Sequence, residues 1–267
     1  MSYAYAKFDV VAETYDDTFS ASAIGRAQRS SIWEALDRTF QEGQRILEIN
    51  CGTGIDALHL AGRGVEVVAC DSAPGMIAVA QQRMDASSNR SPVDLRCLAT
   101  EQIAELEQDG PYDGVLSNFS GLNCVSDLKQ VARDLACLVK PGGKAVVCLF
   151  GRFCLWETSW YLAHGKFRKA FRRFKRKGVE ATLAPGSTVV VHYVSVGALK
   201  RTFSPYFRLE NWSGIGVAVP PSYLEALAIQ FPRLFRFAAG IDPRLGACPG
   251  FRALADHVVL TFERSRS

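Results

Sequence analysis

No apolar stretch in these 267 residues approaches the roughly 20 that a membrane-spanning helix requires. The opening, MSYAYAKFDVVAETYDD, is acidic where a secretory leader would be basic and then apolar, so a cytoplasmic location is expected. Eight cysteines are present but no C-x-x-C pair occurs. Cys70, Cys97 and Cys148 fall in apolar, strand-like runs and read as small core residues of a reducing compartment. Histidine is scarce: His59, His164, His192 and His257 share no ligand spacing with the cysteines, and no metal site is expected. Internal repeats and low-complexity linkers are also missing.

One sign of charge is absent locally. KFRKAFRRFKRK, residues 166–177, holds eight cations and no acid, and removing those eight from the net +4 leaves −4 for the remainder. Basicity confined to one short segment does not describe a general nucleic-acid binder, and no nucleic-acid partner is expected.

What is present is an ordinary globular composition, 48% hydrophobic and 22% charged, with strand and helix signals that alternate from residue 45. RILEI (45–49), VEVVAC (65–70), VDLRCL (93–98), YDGVLS (112–117) and KAVVCLF (144–150) read as strands. Helices are expected at 55–63, at 74–84 with Pro74 in the favoured first turn, and from Leu128 to Val139 behind a Ser126 or Asp127 cap. Such alternation with short connections implies a parallel sheet covered by helices on both faces. After residue 151 the rhythm changes. An aromatic and basic segment intervenes, followed by TVVVHYVSV (188–196), a helix at 197–204, RLENWSGIGVAV, a helical insert and DHVVLTFER. The last two runs suit an antiparallel pair completing the sheet.

Gly52 and Gly54 follow the first strand, where a ligand of an open parallel sheet binds. Lacking a β-carbon, they let the backbone turn tightly and approach a ligand closely. Asp71 ends the second strand, placed for a ribose diol; alone it is equally a helix cap. GTGIDA also fits the weak dinucleotide pattern G-x-G-x-x-A. Glu48 separates the two readings, because a carboxylate beside this turn repels a pyrophosphate but favours ammonium and sulfonium groups. S-adenosylmethionine carries both.

ILEINCGTG resembles the first motif, [DE]-x-G-x-G-x-G, of the class I S-adenosylmethionine-dependent methyltransferases. Further similarities follow in order: Asp71-Ser72 with PGMIAVAQQR, the turn Ala99-Thr100-Glu101, PYDGVLSNF, and LVKPGGKAVV. The opening FDVVAETYDDTF is similar to the N-terminal lid of small-molecule members. The chain departs from the motif at Asn50, where glycine is usual; asparagine tolerates the left-handed backbone that a glycine would adopt there.

The resemblance implies an α/β three-layer sandwich: a seven-stranded, mostly parallel sheet, its last strand antiparallel, plus a helical lid insertion. Its parts would be an N-terminal helical lid (1–44), a Rossmann-like cofactor core (45–150), an aromatic/basic substrate lid (151–186), and C-terminal strands completing the sheet with a helical insert (187–267). By the same resemblance Glu48 would meet the cofactor's amino group, with Asn50, Cys51, Gly52 and Gly54 forming the turn around its methionine and ribose. Asp71 would take the ribose hydroxyls, Ser72 and Met76 flank the adenine, and Thr100 and Glu101 read its edge. Asn118 and Phe119 would line the reactive sulfur, and Tyr15 would close over it.

The implied reaction is in-line methyl transfer to a small, lipophilic or lipid-like acceptor, in which the cofactor brings the activated electrophile. A base is needed only where the nucleophile arrives protonated. Candidates are His192, Tyr193 and Asn123, each with a structural alternative: strand packing for the first two, turn chemistry for Asn123. His257, just before the last strand, reads as structural. Phe167, Phe171 and Phe174 recur at helical spacing, which predicts an amphipathic helix docked by its aromatic face with its charges in water. The same features suit peripheral contact with a membrane through 166–177. The rival readings are an S-adenosylmethionine-binding enzyme with non-methylating chemistry, an NAD(P)-dependent oxidoreductase, and a non-catalytic binding module.

Overall fold

The computed structural model of the chain describes residues 4–88 and 91–266, so residues 1–3 of the expected N-terminal lid lie outside it. Among the described residues nine strands form in chain order: β1 (Arg45–Ile49), β2 (Glu66–Asp71), β3 (Val93–Cys97), β4 (Tyr112–Ser117), β5 (Val139–Phe150), β6 (Val179–Ala184), β7 (Ser187–Val191), β8 (Phe207–Ile215) and β9 (His257–Arg264). Seven of them make one sheet in the order β3-β2-β1-β4-β5-β9-β8. It is parallel from β3 to β5, and β9 enters antiparallel between β5 and β8. This is the expected sheet, with its last strand reversed.

The central strands are apolar on both faces because both are covered. Leu47 and Ile49 of β1 face a layer that includes Val131, Ala132, Leu135 and Leu138 of the helix Leu128–Leu138. Ile46, one residue out of phase, faces Ile32 and Leu36 of the helix Ala23–Thr39 and Leu60 of the helix Ile55–Gly62. Asp127 caps the helix Leu128–Leu138, accepting from the backbone N–H of Lys129 and Gln130. That helix stops at Leu138. Residues 140–143 then bulge between the pairs Tyr112↔Val139 and Gly114↔Lys144 before β5 proceeds regularly. Cys70 and Cys148 are core residues as expected, whereas Cys97 sits exposed on the edge strand β3.

Two expectations for the region after β5 require correction. TVVVHYVSV does not join the main sheet. Gly186 (φ +80°) turns the chain so that β7 folds straight back on β6, with Thr182 opposite Thr188. The segment is therefore paired within its own hairpin and not along the edge of the main sheet. The aromatic face of 167–174 is not docked either. The helix Leu155–Ala163 ends at Gly165 (φ +68°), a single turn Phe167–Ala170 follows, and Phe167, Phe171 and Phe174 are all exposed. Their outward position follows from Arg173, which is drawn inward to Glu157 and Asp256.

The chain leaves β1 towards β2 on one side and β4 on the other. A crevice beyond the carboxyl ends of the strands follows from that reversal.

Candidate active site

A cavity of about 550 Å³ opens at that crevice, within the range of small-molecule sites. Its floor is the turn after β1. Asn50 (φ +59°), Gly52 (φ +54°) and Gly54 (φ +72°) are all left-handed. Asn50 thus adopts the conformation expected for a residue replacing glycine. Its side chain is also employed: Nδ2 donates to Thr100 Oγ1 at 2.6 Å, and Oδ1 accepts from Ser117 Oγ at 3.1 Å. A β-carbon on Gly52 would meet nothing, because that position faces the open cavity. One on Gly54 would come within 2.9 Å of Ala80 Cβ, so Gly54 serves the packing of the following helix against its neighbour.

Asp71 closes the turn from β2. Its carboxylate accepts from the backbone N–H of Gly52 (3.0 Å) and of Ala73 (2.9 Å), which aims it along the cavity wall. Burial raises its pKa against those two bonds. Glu48 lies just beneath the floor, 1% exposed, with Oε2 lacking any hydrogen-bond partner. Desolvation, then the nearby Asp56 charge, pushes its pKa well above the ordinary carboxyl range. A buried carboxyl with an unused acceptor is under-satisfied in itself and suits a cationic group brought close to it.

Asp56, on the first turn of the helix after the glycines, is the fully satisfied counterpart. It accepts from Arg29 Nη1, Trp33 Nε1 and Asn118 Nδ2, each at 2.7 Å. Those donors hold its pKa below the usual value in spite of burial. Asn118 also accepts from Phe119 N–H at 2.7 Å, and the Arg29 guanidinium lies 4.5 Å over the Phe119 ring. Phe119 (φ +41°) and Ser120 (φ +70°) are strained non-glycine residues at the tip of β4, a pattern that accompanies functional loops.

The N-terminal segment covers this half of the cavity. Asp9 accepts from Gly75 N–H at 2.5 Å, and Asp16 accepts from Thr53 Oγ1 at 2.8 Å while pairing with Arg83. Tyr15 lines the cavity between these anchors, its phenol pushed up to about 12 by burial. Cys51 and Cys124 also line it, and burial raises both thiols, so neither is a thiolate nucleophile at neutral pH.

Of the residues expected from the sequence, the cavity gathers Tyr15, Asn50, Cys51, Gly52, Asp71, Met76, Asn118 and Phe119 along its wall. Glu48, Gly54, Ser72, Thr100 and Glu101 lie around it but not on its surface. Thr100 is buried under Asn50, and Glu101 is exposed.

The candidate bases are placed differently. Asn123 is fully buried with its amide spent on backbone: Oδ1 accepts from Phe150 N–H (2.8 Å) and Nδ2 donates to His192 O (2.7 Å). His192 and Tyr193 line a separate depression beside Ser126–Lys129 rather than the cavity. The reason is the bond from His192 N–H to Asn123 O, which ends β7 and turns the chain away. His257, by contrast, does reach the cavity. It is paired opposite Phe150 at the start of β9, stacked on that ring at 4.5 Å and edge-on to Phe119 at 5.7 Å, and it lines the cavity. Its Nδ1 lies 3.3 Å from Asp256 Oδ2, a charge contact too poorly aligned for a hydrogen bond. Asp256 is bound by Arg173 at 2.6 Å, and Arg173 by Glu157 at 3.1 Å.

Arg29 and Asp56 were not singled out from sequence, and His257 was read there as structural. Asp56 was discoverable as the acid opening the helix after the glycines. Nothing local marks Arg29, and His257 becomes visible only through the antiparallel register of β9. Among the described residues no cluster of three His, Cys, Asp or Glu could hold a metal ion, and no helix is long and apolar enough to cross a membrane.

The three carboxyl groups around one left-handed turn, one of them unsatisfied, fit the amino and ribose ends of S-adenosylmethionine. The family comparison agrees: residues 46–143 match the model described as a methyltransferase domain. Residues 46–143 are a methyltransferase domain of the class I, S-adenosylmethionine-dependent kind. It is 27% identical over 209 residues to a demethylmenaquinone methyltransferase of Renibacterium salmoninarum, covering 78% of this chain and 80% of that one. It is 38% identical over 101 residues to a ubiquinone biosynthesis O-methyltransferase of Chromobacterium violaceum, covering 38% and 42%. Five further demethylmenaquinone methyltransferases are spanned over only 56 to 60% of their length. Among solved structures, the CcbJ methyltransferase of Streptomyces caelestis superposes with a TM-score of 0.62 at 16% identity, covering 99% of this methyltransferase and all of that chain. That likeness carries the fold alone. The family match spans residues 46–143, which hold the glycine turn and Asp71.

Proposed function

We propose that this methyltransferase acts on a lipophilic, quinol-like aromatic acceptor bearing an ionisable hydroxyl. The observation that carries the reading is the composition of the cavity beyond Asn118 and Phe119. There the wall is largely apolar, formed by Phe150, by Leu183, Val189 and Val191 of the β6–β7 hairpin, and by Tyr223, with the imidazole of His257 among them. Flat aromatic substrates suit such walls, and the quinone-related names of the relatives point the same way.

The cofactor, when bound, supplies a methyl group on a sulfonium that departs as a neutral thioether. The chain's residues do the rest. Asp71 orients the ribose and Glu48 receives the ammonium. The segment around Tyr15 and the lid 151–186 exclude water, so that the acceptor oxygen or ring carbon lies in line with the methyl group. His257 accepts the hydroxyl proton as the nucleophile attacks. The acceptor partitions from a lipid phase through contact at 166–177, with no nucleic-acid partner.

The test is incubation of the purified protein with S-adenosylmethionine and a series of hydroquinones of increasing side-chain length. Release of S-adenosylhomocysteine together with a product 14 mass units heavier is expected, rising with chain length. Turnover confined to polar amines or carboxylates would sink the reading.

A further inference from the structure

The exposed apolar residues are not scattered. Among the described residues most large ones cluster in two segments that are far apart in sequence. The first lies in the insertion after β5, where Leu162, Phe167, Phe171 and Phe174 stand in solvent, Phe167 at 65%. The second lies between β8 and β9, where Ile229 (71%), Phe231 (50%), Leu234 (65%) and Phe237 (64%) do the same. In that second segment the helix Pro232–Ala247 docks Phe235 and Ala239 onto the cluster of Ile24, Val219 and Ala228, which leaves Leu234 and Phe237 on its outer side.

The two segments meet at the mouth of the cavity. Tyr161 of the first stacks on Tyr223 of the second at 6.1 Å, and Tyr223 lines the cavity. Trp156 Nε1 donates to Ala218 O at 3.2 Å, fixing the junction.

Charge decides what such a face meets. Two cations of the basic run, Arg172 and Arg173, turn inward to Glu157, and the other six remain exposed. Arg233 and Arg236 are exposed beside Leu234 and Phe237. The acids of the second segment are turned inward: Glu225 accepts from the N–H of Ala23 and Ile24, and Asp242 accepts from those of Gly216, Ala218 and Val219. The face is thus apolar at its tips, cationic around them, and stripped of outward acid. A partner protein covering it would have to match both properties, whereas an anionic lipid interface supplies acyl chains and headgroup charge together.

We infer that residues 155–177 and 222–237 form a two-armed docking face for an anionic lipid bilayer, with the cavity mouth held at the interface between the arms. This rests on the lipophilic-acceptor reading and deepens it. A hydrophobic acceptor can then pass from the bilayer into the cavity past Tyr223 without crossing water.

The experiment is co-sedimentation of the full chain with vesicles of phosphatidylglycerol and phosphatidylcholine, no acceptor being present. Wild type should bind mixed vesicles at least tenfold more tightly than pure phosphatidylcholine, and 0.5 M salt should weaken the binding. The doubles Phe167→Ser/Phe171→Ser and Leu234→Ser/Phe237→Ser replace exposed side chains and so spare the core; each should lower vesicle affinity at least tenfold. S-adenosylmethionine affinity, read by calorimetry, should remain within twofold in both. Three results overturn the inference: wild type that stays in the supernatant, vesicle binding indifferent to the second double, or a dimer in sedimentation velocity that the same doubles dissociate. Turnover of a short-chain, water-soluble hydroquinone without vesicles tests the acceptor reading separately, because it needs no docking face.

Discussion

The cofactor half and the acceptor half of this cavity are built on opposite principles. Residues 48–76 shape the floor of the first through one strand, one left-handed turn and a carboxylate at the next strand tip, neighbours in sequence over which the N-terminal segment and Asn118–Phe119 are added. The second takes Phe150 from β5, a hairpin from 179–191, Tyr223 from the segment after β8 and His257 from β9. No two of these elements are close in the chain, and a single buried network of Glu157, Arg172, Arg173 and Asp256 ties the insertion to the sheet. Ligand contacts that use backbone geometry can be encoded locally; a pocket shaped for one acceptor must be assembled.

The largest effect should come from breaking the second principle. Arg173→Met takes from buried Asp256 its guanidinium partner and leaves buried Glu157 with Arg172 alone, a change worth about 3–5 kcal/mol. Urea unfolding should show that loss, and limited proteolysis should cut within 151–178, while the cofactor half keeps its affinity for S-adenosylmethionine. The same network predicts a pH dependence. Asp256, held down by His257 and Arg173, and Glu157, held down by Arg172 and Arg173, both have carboxyls below their ordinary range. Their stabilisation is complete above the unfolded carboxyl values near 4 and fades as pH falls through the lower folded values. Wild type should therefore lose stability on acidification below about pH 4 more steeply than Arg173→Met does.

Asp71→Ala attacks the local principle instead. Hydrogen bonds to a charged group contribute about 1.5–3 kcal/mol each, so cofactor affinity by calorimetry should fall about a hundredfold or more. Thermal unfolding of the cofactor-free protein should come earlier as well, because the N–H groups of Gly52 and Ala73 lose their acceptor. His257→Gln separates the two halves: a turnover loss of about a hundredfold is expected, with cofactor affinity within twofold. An equal loss in both quantities would mean that His257 only packs. The smallest effect concerns a proton. Since Glu48 is buried with a raised pKa, an incoming ammonium group should displace its proton, giving a binding enthalpy that varies with the ionisation heat of the buffer. Glu48→Gln should abolish that variation.

How far the sequence revealed the molecule follows the same division. Strands β1 to β5, the order of their helices, the reversed last strand and the turn that floors the cavity were legible, since each rests on periodicity or on a short turn. The left-handed state of Asn50 was legible for the same reason. The acceptor side was not. His192 looked like a pocket histidine because a β-branched run resembles a strand of the main sheet, but Gly186 folds that run into its own hairpin. Phe167, Phe171 and Phe174 had the spacing of a docked face, and only the inward pull on Arg173 shows why they point out. His257 gained its place from a register with Phe150 more than a hundred residues away, which no local pattern records.

Asn50 also carries a lesson about neutral drift. Its side chain occupies the ground over Gly121, so a methyl group at 121 would collide with it. Gly121→Ala alone should therefore be harmful, and the same change alongside Asn50→Gly should be tolerated better than the separate costs foretell. The usual glycine at 50 and a bulkier residue at 121 form one alternative, asparagine and glycine the other. A lineage that first reaches glycine at 50 meets no collision, whereas one that first fills 121 does, so the side chain at 50 sets the order of the two changes.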